Sequence, residues 1–347
     1  MEFGTFQHLA GLFEAGLTNA VTALTPERAF IAYLGRNADN QKYPTVYATQ
    51  RFSMSGLYTD EDISTEVVRK TMRDGESQLI VDAISTPGLT NRTSVILSGL
   101  RSVLTVPLRL SNGMTVGMIY ADNRVKAGAF KKEHQELLIV TAEELVKQIP
   151  VVEAEMRARP EKQAVKTPLA DIRSRTLNQA EKGHYTEALG AIEAWICGRD
   201  EGEELGIAFG VKGRILQQMG QMIGSFEATA TAVYLLGQYS NKSEHYALML
   251  NNLAGLHVTL ENLNRAHGLF SASLSCWSRL SNRDSRHIGG LTATEYNLGR
   301  LYEVFNKGDK AQDCYQKALE NCQKAFGESH PKTEKIRESL TNLTREV

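Results

Sequence analysis

Four small residues in the second half of the chain, Ala188, Ser225, Ala266 and Ala311, recur at separations of 37, 41 and 45 residues. Each sits just after a turn-like punctuation: Glu181-Lys182-Gly183-His184, Met219-Gly220-Gln221, Glu261-Asn262-Leu263-Asn264 and Asn306-Lys307-Gly308-Asp309. Lys212-Gly213, Leu253-Ala254 and Leu298-Gly299 bring a second small residue 12 positions upstream of the last three. Small residues at a fixed offset let two helices approach closely. A unit of this length cannot bury its apolar face alone and must stack on its neighbours. The second half is therefore predicted to be an all-α array of helical hairpins. About four repeats cover 171–325, and Pro331 to Glu346 form a C-terminal capping helix that starts on a proline.

The first half has another rhythm. Phe3, Phe6, Leu9, Ala10, Phe13, Leu17, Val21 and Leu24 recur at three- and four-residue steps, as on an amphipathic helix. Strand-like runs follow at Arg28 to Gly35 and Thr45 to Phe52, then a helix from Ser64, expected as its cap, with Glu66 in the first turn. Further strands are expected at Gln78 to Ala83, Gly99 to Leu108 and Met114 to Asn123, and a helix from about Phe130 to Ile149 closes the unit. In the first strand Phe30 and Leu34 point one way while Ile31 and Tyr33 point the other. In the last, Val116, Met118 and Tyr120 oppose Ile119. Strands apolar on both faces imply a sheet covered on both sides, with a cavity beneath the interstrand loops. Pro150 to Pro168 holds three of the eight prolines and mixed charge, and reads as a linker, either extended throughout or helical in its middle. The expected partition is 1–150, a linker over 151–170, and the array over 171–347.

Charge narrows the function classes. The chain carries 39 Lys and Arg against 40 Asp and Glu, a net charge of −1. Neither half has the basic excess that a phosphate backbone requires, so no nucleic-acid partner is expected. No apolar run is long enough to span a bilayer, and Glu2 and Glu14 do not suit a signal peptide, so no membrane partner is expected. The four cysteines, Cys197, Cys276, Cys314 and Cys322, lack CxxC spacing and suit reduced thiols in the cytoplasm.

The ordered residues Ser64-Thr65-Glu66-Val67-Val68, Val81-Asp82-Ala83, Ser94-Val95, Gly99 to Leu108, Gly117 to Asn123 and Ala129-Phe130 resemble a GAF sensory domain over roughly residues 10–149. The resemblance implies an α+β fold, an antiparallel sheet flanked by helices, with a small-molecule or nucleotide ligand and a homodimer formed through the terminal helices. The stripe from Phe3 to Leu24 would serve equally to cover the sheet. The Asn-Lys, Phe, Asp-Glu pattern of cyclic-nucleotide-binding members is absent, and no cysteine precedes Cys197 to hold a bilin or reduce methionine sulfoxide. Leu250-Asn251-Asn252-Leu253-Ala254, Tyr296-Asn297-Leu298-Gly299 and Phe326-Gly327-Glu328-Ser329-His330-Pro331 resemble tetratricopeptide repeats of the kinesin-light-chain type. That resemblance implies a groove for a protein or peptide partner.

Catalytic signatures are absent: there is no HExxH, GxSxG, GxGxxG or GxxxxGK, so neither an enzyme nor a cofactor is expected. His134-Gln135-Glu136 lacks a second histidine, while His257, His267, Cys314 and Cys322 read as packing residues. Between Gly99 and Leu108, Arg101, Val103 and Thr105 alternate onto one strand face. If that face looks into the cavity, Arg101 meets an anionic ligand as a forked donor, and otherwise it forms a salt bridge or faces solvent. Asp82, Ser94, Thr105 and Tyr120 complete the candidate ligand site. In the array, Asn252 and Asn297 occupy equivalent positions on leading helices, where amides can grip an extended peptide or bond within the repeat. Arg300 adds selection for an acidic peptide. The expected role is a signalling adaptor. The rival is a purely structural scaffold, its sheet domain filled by Met114, Met118 and Tyr120 and binding no ligand.

Overall fold

A computed structural model describes residues 8–36, 42–50, 64–86, 89, 100–158, 167–197, 199–280 and 284–345. They form two compact units, 1–234 and 235–347. The first begins with α1 (Leu9–Leu24), β1 (Arg28–Arg36), β2 (Lys42–Gln50), α2 (Thr65–Asp74), β3 (Gln78–Ile80), β4 (Ser102–Arg109), β5 (Thr115–Asn123) and α3 (Lys132–Ala158). The five strands make one antiparallel sheet in the order β2-β1-β5-β4-β3.

The period-two pattern sorts side chains as the sequence requires. Phe30, Ala32, Val103, Met118 and Tyr120 share one face and form a buried cluster with Val67, Leu100 and Ala83, against which Val68 and Met72 of α2 pack. Ile31, Leu104, Val106 and Ile119 are buried on the opposite face. Strand pairing is tight enough at β5 that a Cβ on Gly117 would lie 2.3 Å from the Ala32 carbonyl oxygen.

Helix ends depart from the sequence reading in two places. Ser64 stands at the N-cap of α2, but its hydroxyl makes no capping bond. The C-terminus of α2 is closed instead by Gly75, at φ +65°, whose N–H donates to the Thr71 carbonyl. Helix α3 does not stop at Ile149. It runs through Pro150 to Ala158, so the start of the expected linker is helical. An interior proline costs about 3 kcal/mol. Burial of Ile149 and Val152 on either side, and a 2.8 Å bond from the Tyr33 hydroxyl to Glu153, offset that cost.

Two hairpins complete the first unit: α4 (Leu169–Glu181) with α5 (Tyr185–Ile196), and α6 (Glu203–Gln218) with α7 (Met222–Tyr239, its residues up to Tyr234). Ala188 and Ser225 are buried where the helices of each pair meet, and the Ser225 hydroxyl donates to the Gly213 carbonyl at 2.8 Å. The second unit holds α8 (Glu244–Thr259) with α9 (Leu263–Arg279), α10 (Ser285–Val304) with α11 (Gly308–Phe326), and α12 (Pro331–Arg345). Ala254, Ala266 and Ala311 are fully buried, and Gly299 lies against Tyr315. Ile336 and Leu340 of α12 pack on Ala318, Leu319 and Cys322 of α11, which caps the apolar end of the array. The fold is thus an α+β domain, an antiparallel sheet flanked by helices, followed by an all-α array of helical hairpins.

Candidate functional site

At the mouth of the sheet, the Arg101 guanidinium donates to both oxygens of Asp82, Nε to Oδ1 at 3.1 Å and the second nitrogen to Oδ2 at 3.3 Å. The Asp82 turn is fixed around this pair. Its carbonyl accepts from the Thr86 hydroxyl at 2.6 Å, and the Ala83 N–H donates to the Arg101 carbonyl at 2.8 Å. The two side chains remain 37% and 26% exposed. Hydrogen bonding from Arg101 holds the Asp82 carboxyl below the usual carboxylate range. Arg101 therefore takes the salt-bridged arrangement, and an anion arriving there would compete with Asp82.

Thr105 and Tyr120 are register partners on adjacent strands and both are buried. The Thr105 hydroxyl shares a 2.5 Å hydrogen bond with Thr71 of α2. Tyr120 stacks on Phe30 at a ring distance of 4.8 Å, and its hydroxyl donates to Asp122 Oδ2 at 3.0 Å. Asp122 is held by Arg28, with Nε to Oδ1 at 2.9 Å. Burial pushes the Asp122 carboxyl up against the pull of Arg28, and pushes the Tyr120 phenol well above its usual range. The structure thus makes two groups of the candidates, Arg101 with Asp82 and Thr105 with Tyr120. Ser94 lies outside the described residues. Met118 is buried beside Tyr120, whereas Met114 is 41% exposed. The Ser64 hydroxyl, expected to cap α2, is instead buried at the start of that helix with no hydrogen-bond partner among the described residues. A groove of about 570 Å³ runs between β4 and α3, past Val106, Arg109, Leu110 and Ile139, and none of the candidate ligand residues among the described ones lines it.

In the second unit, Asn252 and Asn297 are joined through a third amide. Asn297 Nδ2 donates to Asn251 Oδ1 at 3.1 Å, and Asn251 Nδ2 reaches Asn252 Oδ1 at 3.4 Å. The ladder ties α8 to α10. It leaves a donor, Asn252 Nδ2, and an acceptor, Asn297 Oδ1, unengaged among the described residues. Both residues are half-buried, and Arg300 is exposed one turn further along α10. The equivalent of Arg300 in the preceding repeat is Gly255, where a Cβ would meet nothing within 4 Å. Asn251 itself is buried. Its signal in the sequence was the Asn251-Asn252 doublet.

The expected packing role of the histidines has particular partners. His267 lies 3.1 Å from the Tyr302 hydroxyl, and His257 is fully buried. Cys314 and Cys322 are buried, with burial pushing the Cys314 thiol up to about 11. Among the described residues no group of three or more His, Cys, Asp and Glu could hold a metal ion, and no helix is long and apolar enough to cross a membrane.

Comparison with known proteins agrees with the motifs at the C-terminus: residues 296–332 match the tetratricopeptide repeat family. Among solved structures the chain is similar to the nearly identical TPR-like repeats of a kinesin light chain from Podosopora anserina. Identity there is 16%, over 52% of this chain and 88% of that one, with a TM-score of 0.44. BtubC from P. vanneervenii is 21% identical over 59% of this chain and 74% of its own, with a TM-score of 0.40. The GAF domain region of a Geobacter sulfurreducens protein is 15% identical over 41% of this chain and 93% of its own, with a TM-score of 0.34.

Proposed function

We propose that the chain is a non-enzymatic cytoplasmic adaptor. The repeat array, residues 171–347, holds an extended segment of a protein partner along its leading helices. The sheet domain, residues 1–150, reaches it through residues 151–170 and is the sensing or dimerising module. The observation that carries this reading is the unengaged donor on Asn252 and acceptor on Asn297. An extended peptide presents backbone C=O and N–H groups, and one donor and one acceptor fixed on neighbouring helices can bracket them. Arg300 supplies a guanidinium for an acidic side chain of the same segment.

The test is to select peptides on the full chain from a random phage-displayed library and measure their affinity by fluorescence anisotropy. Asn252→Ala removes one hydrogen bond to the peptide and should weaken binding by roughly fivefold to tenfold. Equal affinity for the variant overturns the reading. Asn297→Ala is a less clean probe, because it strips the buried Asn251 of its 3.1 Å donor, whereas Asn252→Ala costs Asn251 only a 3.4 Å acceptor; the thermal midpoint of each variant is read alongside its affinity.

A second reading has its own support. Met118 and Tyr120 are buried with Phe30 and Val103 against α2, which favours a sheet domain that binds no ligand and acts as a scaffold. A thermal-shift screen against nucleotides, cyclic dinucleotides and metabolites separates the two. A concentration-dependent rise supports sensing, because ligand stabilises by mass action, and no shift supports the scaffold.

A further inference from the structure

Within residues 1–234, the sheet domain meets the second helical hairpin through a line of aromatic rings. Tyr33 of β1 lies 5.7 Å from Phe13 of α1, and Phe13 lies 5.0 Å from Tyr47 of β2. Tyr47 in turn stacks on Tyr234 of α7 at 4.6 Å with its ring only 12° from parallel. His8, at the head of α1, adds a second strand to the seam. Its ring faces Tyr234 at 5.9 Å and Phe209 of α6 at 6.4 Å. Its backbone N–H donates to Glu227 Oε1 of α7 at 3.0 Å, while its Nδ1 accepts from the Ala10 N–H and caps α1. At the other end of the line, the Tyr33 hydroxyl holds Glu153 in the part of α3 beyond Pro150.

We infer that this seam makes the sheet domain and the second hairpin one cooperative body, so that a change in stability on either side is felt on the other. Phe13, Tyr234, Phe209 and His8 are all buried, as residues of a packed joint are. Stacked aromatic pairs stabilise beyond the area they bury. The joint is also imperfect. A partly open pocket of about 170 Å³, lined by His8, Phe209 and Leu216 and by the polar Glu193, Lys212 and Glu227, lets water reach one side of the joint. A joint that water reaches opens more easily than the filled cores on either side of it, and local opening of such units is what hydrogen exchange reads. The stacked rings and the bond from the His8 N–H to Glu227 couple the two sides, so that loosening one is transmitted across the joint. This coupling does not depend on which ligand or peptide the chain binds.

Hydrogen exchange on the full chain tests it. Tyr47→Ala lies in the sheet domain, yet should speed exchange of α6 and α7 amides up to residue 234 by roughly twofold to tenfold. The reciprocal Tyr234→Ala should speed exchange at the start of α1 and in β2. If Tyr234→Ala fails to fold, Glu227→Ala, at a half-buried position, removes the bond to the His8 N–H and reads the same coupling in α1. Acceleration confined to the element that carries the substitution overturns the inference.

Discussion

Two glycines in the second unit should respond in opposite directions to the same substitution. Within a helix, alanine is better than glycine by about 0.5–1 kcal/mol, because glycine loses more backbone freedom on folding. At Gly255 in α8 the added methyl group would meet nothing within 4 Å. Gly255→Ala should therefore stabilise by about 0.5–1 kcal/mol. At Gly299 in α10 the same methyl carbon would lie 2.7 Å from Tyr315 Cε1, 2.8 Å from Cδ1 and 3.3 Å from Cys314 Cβ. Carbon atoms rest at about 3.5–4.0 Å, so the ring must move by almost 1 Å. Tyr315 is fully buried and its hydroxyl is bound to Glu303, which leaves the ring little room to shift. Overpacking of this kind costs about 1–3 kcal/mol, and it outweighs the helix gain. Gly299→Ala is thus expected to destabilise by roughly 0.5–2 kcal/mol, against a gain at Gly255. Urea denaturation of the full chain, followed by circular dichroism, compares the midpoints of both variants with the parent. If both shift the same way, the close approach of α10 and α11 assigned to Gly299 is wrong.

Further outcomes follow from the same geometry. Gly117→Ala should disrupt the sheet, because its methyl group would collide with a backbone oxygen that cannot swing aside; a calorimetric transition as high as the parent's would contradict this. Arg28→Ala leaves Asp122 buried without its guanidinium and should cost about 3–5 kcal/mol, measured as a fall in the urea midpoint. The Asp82 carboxyl titrates below its ordinary value in the folded chain, so its pairing with Arg101 stabilises above the ordinary aspartate pKa and is lost as pH falls through the lowered one. Carbon-detected NMR titration of Asp82 should show the lowered midpoint return toward normal in Arg101→Ala, and an unmoved midpoint would deny the pairing its role.

The repeat register was legible because it is written in small residues. Ala188, Ser225, Ala266 and Ala311 are buried at helix contacts, as close packing at a fixed offset demands. The two-faced strands were legible for a similar reason, since Phe30 and Ile31 alternate into opposite layers. Features that depend on distant residues were not legible. Pro150 reads locally as a stop, and only buried Val152 and the tether from Tyr33 to Glu153 carry α3 past it. The charge of Arg101 says nothing about which group faces it, and Asp82 is brought opposite by the pairing of β3 with β4. In the candidate peptide site, the positions of Asn252 and Asn297 could be counted from the repeat. The bridging amide of Asn251 needed the side-chain geometry, because its equivalent in the next repeat is Tyr296. The seam from Tyr47 to Tyr234 leaves no periodic trace at all.

An extended peptide is proposed to lie along α8 and α10 at Asn252 and Asn297. A selected peptide carrying a photoreactive side chain tests it directly when crosslinked to the full chain and mapped by mass spectrometry. Crosslinks are expected on the leading helices near these amides, at Leu248, Gly255, Ala293 and Arg300, and should be lost when unlabelled peptide competes. Crosslinks concentrated on the trailing helices α9 and α11, with none on α8 or α10, would contradict it.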